Sequence, residues 1–108
     1  MKITIKLGGK PTNRAETTAS VSGDVLTVNG TAYDLASVPE GGTAVPQGEH
    51  PFAGPIARTG GVIHASLVWL YDAGTAEPDQ GRTPPVFDIE TGDVPDPVRR
   101  LPTLEKAP

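Results

Sequence analysis

Apolar and polar side chains alternate from the start of the chain, with Ile3, Ile5 and Leu7 set between Lys2, Thr4 and Lys6. A period of two puts the aliphatic groups on one face of a strand and the charges on the other. Gly8-Gly9-Lys10-Pro11 then ends this first strand. Residues 17–35 hold three β-type runs separated by two turn signals. Asn29-Gly30 supplies the two positive-φ residues of a type I′ turn, which predicts that 25–28 folds back on 31–35. Ser22-Gly23-Asp24 makes the same prediction one strand earlier, and Leu26, Val28, Tyr33 and Leu35 are the expected inward residues of the meander.

Residues 38–48 contain three clusters of Gly and Pro and read as an ordered crossing loop that Val38 and Val45 could pin to the core. After the stretch 52–58, Gly60-Gly61 signals another hairpin. It leads into Val62-Ile63-His64-Ala65-Ser66-Leu67-Val68-Trp69-Leu70-Tyr71, the longest strand candidate. Ile63, Ala65, Leu67, Trp69 and Tyr71 share one face of it, and Val62, His64, Ser66, Val68 and Leu70 share the other. Both faces are substantially apolar, which predicts a central strand or one that lies against something else. Residues 72–83 are polar and breaker-rich and read as a flexible loop, and 85–90 reads as a last strand ahead of a turn at Thr91-Gly92-Asp93. In that strand Val86, Phe87 and Ile89 are expected to pack while Asp88 and Glu90 face solvent.

Gly and Pro, thirteen and twelve of the 108 residues, leave little room for helices. The predicted fold is therefore all-β: six or seven short antiparallel strands in a small sandwich or partly open barrel. One β domain is expected over 1–94, followed by an extended or disordered tail over 95–108, where four prolines interrupt any periodicity. A chain of this length buries roughly 60–70% of its unfolded surface, enough for one core without staples. No cysteine is present, so disulfides and cysteine zinc sites are excluded.

The net charge of −4 is uneven: residues 1–60 carry five basic and five acidic groups, and residues 61–108 four basic and eight acidic. No basic stripe of the kind that releases counterions from phosphate occurs, which argues against nucleic acid as a partner. The alternating first residues do not form the apolar segment of a signal peptide, and the longest apolar run, 67–71, is too short to span a bilayer. A soluble protein without a membrane partner is expected.

Candidate chemistry is sparse. His50 and His64 are the only histidines, the first in a loop and the second in a strand, with no neighbour at metal-ligand spacing. The acidic run Asp88-Ile89-Glu90-Thr91-Gly92-Asp93 lacks the twelve-residue calcium-loop pattern and its terminal bidentate glutamate. No serine sits in a nucleophile elbow, and the Gly-Gly pairs are not followed by the helical pattern of a phosphate loop. These residues give no catalytic, cofactor or metal assignment, and a non-enzymatic role is expected. Trp69 and Tyr71 on one face of the long strand, with Val68 and Leu70 on the other, are the candidate interface residues, since aromatics dominate binding hot spots; for Trp69 a place in the core is the stronger expectation, because a domain with five aromatics needs them inside.

The run Thr18-Ala19-Ser20-Val21-Ser22-Gly23-Asp24-Val25-Leu26-Thr27-Val28-Asn29-Gly30, followed by Tyr33-Asp34-Leu35 and Val38-Pro39-Glu40-Gly41, resembles a family of short uncharacterised proteins encoded by tailed phages and prophages. Phe52-Ala53-Gly54 and Gly61-Val62-Ile63-His64 also fit that family. The resemblance implies a protein of the tail or late structural region, with phage structural or assembly proteins as partners. It also implies a location in the host cytoplasm during assembly or in the virion, and it transfers no catalytic residues. A different expectation is a module that binds a host-surface glycan or protein through Trp69, Tyr71 and the loop at 72–83. The edges of so small a sheet also allow pairing between copies of the chain.

Overall fold

The computed structural model describes residues 1–12 and 14–102 and is all-β apart from one 3₁₀ turn, Ala73–Thr75. Its strands are β1 (Lys2–Gly9), β2 (Ala19–Ser22), β3 (Val25–Val28), β4 (Thr31–Asp34), β5 (Thr43–Ala44), β6 (Ile56–Thr59), β7 (Val62–Tyr71), β8 (Val86–Asp88) and β9 (Thr91–Asp93). They form two sheets, in the orders β5-β6-β7-β1-β8 and β4-β3-β2-β9. The second sheet is the meander that the turn residues announce. Asn29 and Gly30 have φ of 51° and 83°, and the hairpin registers Val28↔Thr31 and Ser22↔Val25 follow directly.

The two sheets share one core. Ile3 and Ile5 of β1, Leu26 of β3 and Leu67 of β7 are fully buried, and Val21, Val28, Ile63, Ala65 and Trp69 join them. In β7 the face carrying Ile63, Ala65, Leu67 and Trp69 points inward, and the strand is central as its two apolar faces predict. Its main partner departs from the antiparallel expectation. β1 lies parallel to β7, from Lys2↔His64 to Gly9↔Tyr71. Parallel strands need a long crossover, and here the whole meander plus β5 and β6 supplies it.

The other edge of β7 is covered in three instalments. β6 pairs with Val62, Ile63 and His64. Next, the Val68 N–H donates to Pro51 O at 2.8 Å and the Ala53 N–H to Ser66 O at 2.8 Å. Finally, the Thr17 N–H donates to Leu70 O at 2.9 Å, and the Leu70 N–H donates to the Thr17 hydroxyl at 2.8 Å. Thr17 is buried, so its side chain satisfies a backbone donor that would otherwise have no water to turn to.

Two strands appear where loops or turns are expected. Thr43–Ala44 adds β5 at one edge, and Thr91–Asp93 forms β9 against β2 instead of a turn. The chain leaves β8 and enters β9 of the other sheet across Ile89 and Glu90, so the link lies three residues earlier than the Gly92-Asp93 signal. Val38 is buried and pins its loop, whereas Val45 stands 66% exposed. Val86 is 58% exposed because it shares a strand face with Asp88, while Phe87 and Ile89 pack against the core. Adjacent strand residues cannot both face inward, which is why the expected packing of Val86 fails.

Residues 95–102 run without regular secondary structure except a bridge at Arg100, and Val98 is buried. The remainder of the expected tail, 103–108, lies outside the described residues. The expected flexible loop, 72–83, contains the 3₁₀ turn, capped by the Asp72 carboxylate accepting from the Gly74 N–H at 2.9 Å, and it buries Ala76.

Candidate functional site: the open edge of β4 and its trough

β4 is the last strand of its sheet. A two-residue hairpin makes Val28↔Thr31 a hydrogen-bonded pair, and pairs alternate along an antiparallel ladder. Thr31 and Tyr33 therefore bond to β3, while Ala32 and Asp34 turn their N–H and C=O groups away from the sheet. Among the described residues, this leaves two donors and two acceptors on an open edge.

A trough runs beside that edge. One stretch, about 620 Å³, lies among Arg14, Tyr33, His50, Pro51, Val68 and Leu70. The next, about 380 Å³, lies among Tyr33, Leu35, Val45, Pro46, Phe52 and Ile56. Tyr33, Glu49 and His50 line both, so the two hollows adjoin. Tyr33 reaches the trough from the inner face of β4, and its ring meets Phe52 edge-on with centroids 5.3 Å apart and planes at 81°, the arrangement favoured by the ring quadrupoles. The Phe52 N–H donates to His50 Nδ1 at 3.1 Å, and the two rings lie 5.9 Å apart. Nδ1 is thus an acceptor in this bond.

Of the four interface candidates, Val68 and Leu70 line this trough, Val68 being 37% exposed. The other two lie elsewhere. Trp69 is 3% exposed and belongs to the core, so it offers no free ring face for a partner. Tyr71 is half-buried beside Gln80, Gly81 and Pro85, in a smaller hollow of about 250 Å³. Sequence reasoning placed Trp69 and Tyr71 on a common face correctly, but that face is the inward one. It missed His50, Phe52 and Val45 as trough residues, because only a hydrogen bond between residues two apart and the Tyr33–Phe52 contact bring them to β4. No local spacing announces either.

A second cluster lies around Arg100. Its guanidinium meets Glu16 Oε2 at 2.7 Å and Asp96 Oδ2 at 2.9 Å, and it donates to the Thr75 hydroxyl at 2.8 Å. The hydrogen bond from Arg100, helped by the Val98 N–H, holds the Asp96 carboxyl below its ordinary value of 3.8 against a partial burial that acts the other way. Charge and hydrogen bonding from Asp96 and Glu16 push the arginine further up, so it stays protonated.

His64 sits on the outer face of β7 opposite Lys2 and Ala57, on a different element from His50. Among the described residues, no group of three or more His, Cys, Asp or Glu side chains is placed to hold a metal ion. Among them also, no helix is long and apolar enough to cross a membrane. Compared with family models, with curated proteins and with solved structures, the chain has no match in any of the three.

Proposed function

We propose that this protein works by contact and not by catalysis, accepting an extended segment of a partner protein along β4. The observation that carries the reading is the pairing of an open strand edge, Ala32 and Asp34, with a trough of aromatic and aliphatic side chains beside it. Strand addition takes its affinity from main-chain hydrogen bonds and its selectivity from pockets that accept alternate side chains. The edge offers the first and the trough the second. Val45 and Val68 stand exposed at the trough, where a partner would remove them from water.

The resemblance of residues 18–41 to short proteins of tailed phages and prophages supplies the setting: a minor tail component or assembly factor, acting in the host cytoplasm during assembly or within the particle. A host-surface glycan module built on Trp69 and Tyr71 has weaker geometric support, because the buried Trp69 ring offers no stacking face.

Ala32→Pro tests the reading. The Ala32 N–H points away from β3, so proline there removes an outward donor without breaking the ladder, as it does on natural edge strands. Tagged wild-type protein is expected to capture phage tail or assembly proteins from an induced lysogen, and the variant to lose them while keeping its fold. Equal capture by both proteins, or none of these partners with either, would contradict it.

A further inference from the structure

Val94, Asp96 and Arg100 of the segment 94–102 line a cleft of about 470 Å³ together with Glu16, Thr17 and Trp69. Little of what holds the segment is apolar. Val94 and Val98 are buried, but the other links are polar and near the surface. The Glu77 N–H donates to Arg99 O at 2.8 Å and the Leu101 N–H to Thr75 O at 2.9 Å, around the antiparallel bridge Ala76↔Arg100. The Gln80 amide completes the pairing: its Nε2 donates to Arg99 O and its Oε1 accepts from the Arg99 N–H, both at 2.8 Å. A glutamine side chain here stands in for the strand that the segment lacks.

Arg100 adds a side-chain tie among three stretches that backbone and glutamine bonds already link in part. Its guanidinium grips Glu16 in the crossing after β1, Thr75 in the loop after β7, and Asp96 within the segment itself, the last through two hydrogen bonds of 2.9 and 3.3 Å. The same Glu16 oxygen accepts from the Asp72 N–H at 3.0 Å, so the loop is tied to the same point. These side chains are a third to a half exposed. Their attraction is therefore open to screening, whose range falls from about 10 Å at 0.1 M salt to about 3 Å at 1 M. The sheets rest on burial of Ile3, Ile5, Leu26 and Leu67, which salt does not weaken.

We propose that residues 94–102 form a strap latched by Arg100 at the Trp69 cleft, and that the latch opens with salt, or with loss of the guanidinium, while both sheets stay folded. Opening uncovers Trp69 and Ala76, now 3% and 5% exposed. The cleft shares Thr17 and Asn29 with the trough beside β4, and no residue of the strap lines that trough. Unlike the contact reading, the strap needs no partner for its test.

Amide hydrogen exchange and acrylamide quenching of Trp69, the one tryptophan in the chain, read the strap separately from the body. In Arg100→Gln the Glu77 and Leu101 amides are expected to exchange about tenfold faster, with the β7 amides unchanged and Trp69 quenching increased. About 1 M sodium chloride should reproduce this in the wild type and add nothing in the variant. Unchanged exchange at Glu77 and Leu101 would overturn the proposal, as would a rise matched by the β7 amides, which would make the strap inseparable from the whole fold. Should Arg100→Gln fail to fold, the wild-type salt comparison decides alone.

Discussion

β7 and β4 are treated in opposite ways by the same chain. β7 pairs with β1 on one side, and with β6, residues 51–53 and Thr17 in turn on the other. Three unrelated segments are recruited in turn along that edge. Among the described residues, β4 pairs with β3 alone and keeps the outward groups of Ala32 and Asp34 open. An unpaired edge is a liability that small β proteins usually blunt with charge or proline, and at β4 only Asp34 performs that task. The contrast shows that the exposed edge does not come from a shortage of chain. The residues that could have covered it, 44–51, form the wall of a trough beside it instead.

The contrast can be broken most heavily at β7. Leu67→Ala should cost about 2–5 kcal/mol in denaturant unfolding, because the side chain is fully buried between the sheets. Next comes the substitute partner on the covered edge: Thr17→Val keeps the volume but removes the acceptor of the buried Leu70 N–H, for about 1–3 kcal/mol, while Thr17→Ser should recover most of it. Asn29→Ala loosens the other strand. It forces an alanine to a φ of 51° and deletes the acceptor of the Thr18 N–H, for about 1–2 kcal/mol, and should speed exchange in β4 before β7. The smallest effect is at Asp96. Its folded-state value lies below 3.8, so its stabilisation is fully present above that pH and is lost as pH falls from 3.8 through the folded value. The carboxylate is half exposed, so no more than about 0.5–1 kcal/mol should disappear in acid titration, and Asp96→Asn should flatten that slope.

What the sequence made legible was whatever a local rule could express. Asn29-Gly30, Gly23 and Gly60-Gly61 set their hairpins because positive φ is a property of those residues, and all adopt it. The alternation in β1 and β7 named the inward Ile3, Ile5, Ile63, Ala65 and Leu67 correctly. The parallel β1–β7 pairing was not legible, since it joins Lys2 to His64 with no turn between them to mark it. β9 was hidden by Gly92, a residue type that signals a turn although here it lies within a strand at a φ of 120°. The Arg100 cluster was invisible for the same reason as the trough. Glu16, Thr75 and Arg100 are neighbours only after both sheets have formed.

The open edge at β4 is tested most directly by amide exchange along Thr31–Asp34, first in the free protein and then in the complex recovered with it. Thr31 and Tyr33 should be protected in both. The Ala32 and Asp34 amides should exchange rapidly in the free protein and slow at least about tenfold in the complex, as bound edge amides do. Protection of Ala32 and Asp34 already in the free protein, or rapid exchange that persists in the complex, would contradict the account.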